Sequence, residues 1–318
     1  MIRIGIDPMI FQAGVFALSW HGFFTFVGVV AAVVLVAWWA RREHIDPDIV
    51  YSVAVWAVLS GIVGAKIVHV IDYWDVYSQN PMQIFSRAGI ALYGALLFGF
   101  LGGAAYILVR KLLGRIYAGE MWPWFKKLVG PGIRDGYLKG TMYAKFKDFS
   151  IGHLADVTAP ALLIAQTIGR IGDIINGEHV ARLTSRPWGF VYSHPDSPSY
   201  QAFGLNASHP AIAYEMLWNT VVLGIIWKLR GRLAPPGMLF ALYLMLYSLG
   251  RFFIQFLRIV PGSPVGSNKV WFAGLSEAHI IALIVMAVTV PLLAYKARWV
   301  RRAPAASAAA ERRAKSRG

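Results

Sequence analysis

Not one of the 318 residues is a cysteine. That rules out a disulfide framework, a thiolate metal site and a cysteine nucleophile of the chain's own, so any sulfur chemistry must use a partner's thiol. Charge is scarce too: 15% of residues are charged and 57% are hydrophobic. So little polar material cannot cover a soluble fold of this length, and lipid must cover part of the surface. Acidic residues are the scarcest charged group, 16 Asp and Glu against 31 Lys and Arg, for a formal net charge of +15. In a soluble protein that excess would point to nucleic acid. Here the basic residues stand in short segments between apolar runs, so the charge reports orientation in a membrane and no nucleic-acid partner is expected. No repeat of fixed period and no inverted pair of broken helices is present, which speaks against a secondary transporter and ranks a small-anion permease last among the possible functions. Residues 1–14 lack the charged start and short apolar stretch of a cleaved signal, so the first apolar run reads as a permanent span.

The expected fold class is all-α, a polytopic integral membrane protein of about seven transmembrane helices with an outward-facing loop head region. A hydrocarbon core of about 30 Å takes about 20 mostly apolar helical residues. Runs at 15–40, 49–70, 90–109, 237–260 and 278–297 meet that length outright. Two weaker runs are 154–171, interrupted by Pro160, and 211–227, which carries Glu215. An odd number of spans puts the termini on opposite sides. Arg41, Arg42, the block from 110 to 147, Lys228, Arg230, Arg232 and the tail from Lys296 to Arg317 then share one side, leaving only Arg3, Arg87, Arg182, Arg186 and Lys269 on the other. The basic side is expected to be cytoplasmic, with the N-terminus, the 172–208 loop and the 261–277 loop outside. Residues 1–303 read as one membrane-embedded domain. Its basic insertion at 110–152, rich in Trp and Lys, suits an anionic lipid surface, and 304–318 read as a disordered basic cytoplasmic tail.

Lys66, Arg170, Arg251 and Arg258 fall within or at the ends of spans, where a charge at the bilayer centre costs at least about 2.5–3.5 kcal/mol. Arg258 stands near a helix end and is expected to snorkel to the interface. Steps of three and four place Tyr247, Arg251, Gln255 and Arg258 along one helical face, a polar stripe that must meet protein or a wet cavity. Arg170 is followed by Gly172, Asp173, Asn176, Gly177 and Glu178, a glycine-bearing polar patch that can hold non-helical backbone where it is buried or lines a cavity. Two readings follow. Arg170 can form an internal ion pair with Asp173 or Glu178 that locks helices together, or two guanidiniums from different spans can grip the phosphate of an amphipathic ligand reached from the lipid. Arginines tied off by carboxylates in a sealed, dry interior would count against the second.

The run Gly169-Arg170-Ile171-Gly172-Asp173-Ile174-Ile175-Asn176-Gly177-Glu178 closely resembles the signature of the prolipoprotein diacylglyceryl transferase family. The likeness extends in order along the chain through Asp7-Pro8, Trp20-His21-Gly22, Gly64-Ala65-Lys66, Ala88 to Gly94, and Leu154-Ala155-Asp156 with Pro160. Beyond the signature it continues in Pro187-Trp188-Gly189, His209-Pro210, Tyr214-Glu215 and the Tyr247 to Arg258 face. It implies transfer of a diacylglyceryl group from phosphatidylglycerol to the lipobox cysteine of a preprolipoprotein, forming a thioether and releasing glycerol phosphate, without cofactor or metal. A nucleophile brought by the substrate fits a chain that has none, and arginines can hold a phosphate as its charge builds. On the resemblance, the catalytic residues are Arg170, Arg251, Tyr247, His21 and Tyr93. The headgroup would be bound by Arg170, Arg251, Lys66, Asp173, Asn176, Glu178, Gln255 and Arg258, and the partners would be phosphatidylglycerol, the preprolipoprotein signal peptide and membrane lipids.

Several positions depart from the family pattern. Tyr93-Gly94-Ala95 stands where the family's third-span motif has a histidine and two glycines, and His21 stands for a tyrosine. Asp173 replaces an asparagine, Lys66 an arginine and Gln255 a glutamate. His21 and Tyr93 are therefore the two candidates for handling the thiol proton, and an altered relative that binds a phospholipid without transferring it is the alternative function.

Overall fold

The computed structural model describes residues 1–13, 16–85, 92–118, 146, 149–258 and 270–300. The expectations for the first half of the 88–94 block, most of the 110–152 insertion and the 304–318 tail lie outside the described residues. Seven helices among them are long and apolar enough to cross a membrane. They are α1 (Trp20–Arg42), α2 (Pro47–Asp72), α3 (Leu92–Ala118), α4 (Ile151–Asn176), α5 (Ala211–Leu229), α6 (Met238–Arg258) and α7 (Glu277–Lys296). The chain is a multi-pass helical membrane protein. Phe26, Leu217, Phe253 and Val288 leave 67%, 66%, 62% and 62% of their surface uncovered, as side chains facing lipid do.

The chain divides into two compact units, one of residues 33–151 and one of 1–32 with 152–318. In the first, Pro47 opens α2 at a position where its missing N–H costs nothing, and Asp46 accepts the Asp48 amide at 2.9 Å. α2 packs closely on α3 through small residues. A side chain grown on Gly61 would stand 3.0 Å from the Ala95 carbonyl oxygen, and one on Gly99 would stand 3.1 Å from that of Ala57.

The second unit joins the start of α1 to α4, α5, α6 and α7. Its core is built from Ala159 and Leu163 of α4, Val222 and Ile226 of α5, and Leu239, Tyr243 and Tyr247 of α6. The helix α4 runs through Pro160 and continues to Asn176, so within the polar patch Gly172, Asp173 and Asn176 are helical and the backbone leaves the helix at Gly177. The Asp156 carboxylate accepts the amides of Gly237 at 2.8 Å and Phe240 at 2.9 Å, satisfying donors that α6 leaves open at its N-terminus.

Outside the helices, strand β1 (Ile2–Ile4) pairs in parallel with β4 (Phe190–Tyr192), while β2 (Met9–Ala13) and β3 (Phe16–Ser19) form a hairpin that leads into α1. The 177–210 segment is tied down by backbone bonds from Arg182 N to Leu257 O at 2.8 Å and from His209 N to Arg182 O at 2.9 Å. The indole of Trp188 donates to the Tyr214 hydroxyl at 2.6 Å.

Candidate active site

Two glycines build the local geometry. Gly172 allows α1 and α4 to touch where α1 begins: a Cβ there would lie 2.5 Å from the Trp20 carbonyl oxygen and 2.7 Å from the His21 Cα. Gly177, at φ 70, ends α4 in the left-handed region. Its amide still bonds to Asp173 O at 2.9 Å, and its carbonyl oxygen accepts the Ser199 hydroxyl at 2.7 Å. The chain thereby reverses and returns Glu178 and His179 over the last turn of α4.

Buried charges collect on this turn. Arg170 donates from Nη1 to Asp173 Oδ2 and from Nη2 to Glu215 Oε1 of α5, each at 2.6 Å. Arg251 of α6 approaches Glu215 Oε2 at 3.5 Å, and the Tyr247 hydroxyl donates to Glu215 Oε1 at 3.3 Å. Asp173 is also faced by His21 Nδ1 at 2.5 Å and His179 Nε2 at 3.2 Å. Beside it, Asn176 Nδ2 donates to Glu178 Oε1 at 2.7 Å, and Glu178 Oε2 lies 3.6 Å from His21 Nδ1.

Arg258 corrects an expectation. Instead of snorkelling, its side chain is buried, and Nη2 donates to His179 Nδ1 at 2.6 Å, because the returning 177–182 segment closes over the end of α6. Its Nε and Nη1 have no hydrogen-bond partner among the described residues. A histidine that accepts at Nδ1 and faces a carboxylate at Nε2 is the neutral tautomer with its proton on Nε2. Burial, reinforced by the Arg258 charge, pushes the His179 imidazole down to about 4, against the opposing pull of Asp173. Burial and the nearby Asp173 carboxylate push the Tyr192 phenol up.

One unit thus brings together Arg170, Arg251, Tyr247, His21, Asp173, Asn176, Glu178, Gln255 and Arg258 from the expected set. Lys66 and Tyr93 belong to the other unit. There Lys66 Nζ donates to the Tyr77 hydroxyl at 3.4 Å, and Tyr93 lies in the first turn of α3, its side chain outside the described residues. Glu215 and His179 were missed by the sequence reading, although a lone carboxylate inside an apolar run was a visible signal for Glu215. Of the two carboxylate-bearing histidine clusters with metal-like spacing among the described residues, His21, Asp173 and Glu178 form a hydrogen-bond network whose Asp173 oxygens already face Arg170, His21 and His179, while Asp7, His194 and Asp196 stand at a largely exposed edge.

The same stretches that supply this cluster lie within a match to the family model for prolipoprotein diacylglyceryl transferase, which covers residues 8–120 and 132–295. The chain belongs to the prolipoprotein diacylglyceryl transferase family. Among its relatives is a phosphatidylglycerol–prolipoprotein diacylglyceryl transferase of Dehalococcoides mccartyi, 31% identical over 299 residues, spanning 94% of this chain and 96% of the relative. A protein of the same name from Limosilactobacillus reuteri is 30% identical, over 81% of this chain and 82% of its own. One from Trichormus variabilis is 28% identical, over 79% and 78%. An apolar groove of about 480 Å³ runs between α5 and α6, lined by Tyr214, Leu217, Trp218, Val221, Leu249, Gly250, Phe253 and Ile254.

Proposed function

We propose that this protein transfers the diacylglyceryl group of phosphatidylglycerol to the lipobox cysteine thiol of preprolipoproteins, forming a thioether and releasing glycerol phosphate, at the start of lipoprotein maturation. The observation that carries this reading is the charge surplus of the buried cluster. Arg170, Arg251 and Arg258 contribute three positive charges, while Asp173 and Glu215 contribute two negative ones, a balance of +1 that a phosphodiester monoanion cancels. Nε and Nη1 of Arg258 are buried without hydrogen-bond partners among the described residues, and such an anion would give them acceptors. Glu215 holds Arg170 at 2.6 Å and lies 3.5 Å from Arg251, so one carboxylate orients both guanidiniums. As the carbon–oxygen bond to the phosphate breaks, a second negative charge develops on the leaving group, and preorganised guanidiniums favour that state over the ground state. Tyr247, Asn176, Glu178 and Gln255 shape the polar wall, and the apolar groove suits acyl chains. Lys66 and Tyr93, for which the resemblance implies binding and proton-handling roles, carry no part of this reading.

The protein would work in the bacterial inner membrane with its N-terminus outside and its C-terminus in the cytoplasm. Its working part would be a single domain over 1–303, carrying the 110–152 insertion and followed by the 304–318 tail. A second reading, a relative that binds the phospholipid without transferring it, draws on the hold that Glu215 already has on Arg170 and Arg251. The test supplies purified protein in micelles with phosphatidylglycerol labelled in its acyl chains and a lipobox peptide. Labelled thioether peptide with an equal yield of glycerol phosphate is expected. Lipid bound without product selects the second reading, and neither binding nor product removes both.

A further inference from the structure

A histidine stands at position 21, at the start of α1, and a carboxylate at position 173, in the last turns of α4. Separated by 152 residues in sequence, these two meet: His21 Nδ1 lies 2.5 Å from Asp173 Oδ1. We infer that His21, held by Asp173, takes the proton from the substrate thiol, an inference that rests on the transferase reading and assigns its missing base.

The geometry gives each atom a task. Asp173 Oδ2 is fixed by Arg170 Nη1 at 2.6 Å and faces His179 Nε2 at 3.2 Å, so the carboxylate cannot turn away from the imidazole. Its Oδ1 accepts from His21 Nδ1, which leaves the lone pair on Nε2. The His21 side chain is 34% exposed, whereas those of Asp173 and Glu215 are 3% and 2% exposed, so of the three His21 is the group an incoming peptide can touch. Gly172 makes the approach possible, since any side chain there would strike the Trp20 carbonyl and the His21 backbone. The charged groups facing the imidazole are Asp173 and Arg170 from α4 and Glu178 from the segment after it; neutral His179 reaches it only through Asp173.

The step balances without an added reagent. The thiol proton passes to His21 Nε2, and the sulfur pair forms the bond to the glyceryl carbon. The carbon–oxygen bond to the phosphate breaks, and its electrons leave on glycerol phosphate. The imidazolium then returns the proton to that phosphate or to water. His21 touches the reacting atom, whereas Asp173 acts through His21 as a positioning residue.

The experiment measures kcat and KM for a lipobox peptide and phosphatidylglycerol with the full chain in micelles. If the unaltered protein yields no thioether, the transferase reading itself fails. If it does, His21→Gln should lower kcat about 10²-fold or more with KM for phosphatidylglycerol little changed. The fall of kcat on the acid side should vanish in that variant, and added imidazole should partly restore His21→Ala. Asp173→Asn should lower kcat in the unaltered protein and add little in the His21→Gln background, because the two act as one unit. His21→Tyr keeps an aromatic, hydrogen-bonding side chain at this position, so it guards against a folding defect and should show the same loss. Unchanged kcat in His21→Gln overturns the inference. So does a loss that imidazole cannot relieve, multiplicative losses in the double variant, or disappearance of the acid limb in Glu178→Gln with the limb retained in His21→Gln.

Discussion

Glu215→Gln is the substitution on which the charge arithmetic can be tested most directly. Glu215 is 1% exposed and bonds Arg170 at 2.6 Å, with Arg251 at 3.5 Å and the Tyr247 hydroxyl at 3.3 Å. The amide keeps the shape and one acceptor oxygen but removes the charge, so the buried cluster goes from three positive and two negative groups to three and one. Removing one partner of a buried ion pair costs about 3–5 kcal/mol, because the remaining charge is left uncompensated. Against a typical total stability of about 5–15 kcal/mol that is a large fraction. Denaturant unfolding in micelles of uncharged lipid should therefore show a midpoint far below that of the unaltered protein. Phosphatidylglycerol should then stabilise Glu215→Gln more than it stabilises the parent, since an anion binding only the folded state offsets the added surplus. A loss under about 0.5 kcal/mol, the size of an ordinary surface change, or equal stabilisation of both proteins by the lipid would refute the reasoning.

Other outcomes follow from the same geometry. Arg170→Lys should reduce kcat/KM nearly as much as Arg170→Ala, because one ammonium cannot reproduce two nitrogens that each meet a different carboxylate at 2.6 Å; full activity in the lysine variant would remove that claim. Gly172→Ala should cost about 1–3 kcal/mol by overpacking against Trp20 and should also lower kcat, read by thermal unfolding and the transfer assay together. His179 takes up a proton near its ordinary 6.5 when unfolded but only near about 4 when folded. Its contribution is therefore complete above about pH 6.5 and is lost as pH falls toward 4. Unfolding titrations across that window should show a shallower pH slope in His179→Phe than in the parent.

Much of the helix layout can be read from local pattern, because a span has to carry its own apolar length and satisfy its own backbone. The 211–227 and 278–297 runs reappear nearly unchanged as α5 and α7, while α4 overshoots its expected end because Gly172 and Asp173 pack inside the protein and keep their helical bonds. The Tyr247, Arg251, Gln255 and Arg258 face was legible for the same reason, as all four sit on one buried stripe. Contacts between distant stretches were not. Nothing in the order of residues says that Glu215 meets Arg170 across 45 positions or that His21 meets Asp173 across 152. Arg258 was misjudged because a helix end adjoins water only if no later segment covers it, and the left-handed turn at Gly177 sends such a segment back.

The bonds from Asp156 to the amides of Gly237 and Phe240 reach beyond the end of α6 at which they are made. Arg251 lies 14 residues beyond Gly237, about 21 Å along a helix rising about 1.5 Å per residue. A lengthwise slip of α6 against α4 by one turn, about 5.4 Å, would tear both amides from Asp156 and carry Arg251 away from Glu215 in the same movement. Asp156 therefore sets the axial register of a guanidinium it never touches, and loosening that distant anchor should blunt the chemistry while leaving every residue at the polar end unaltered.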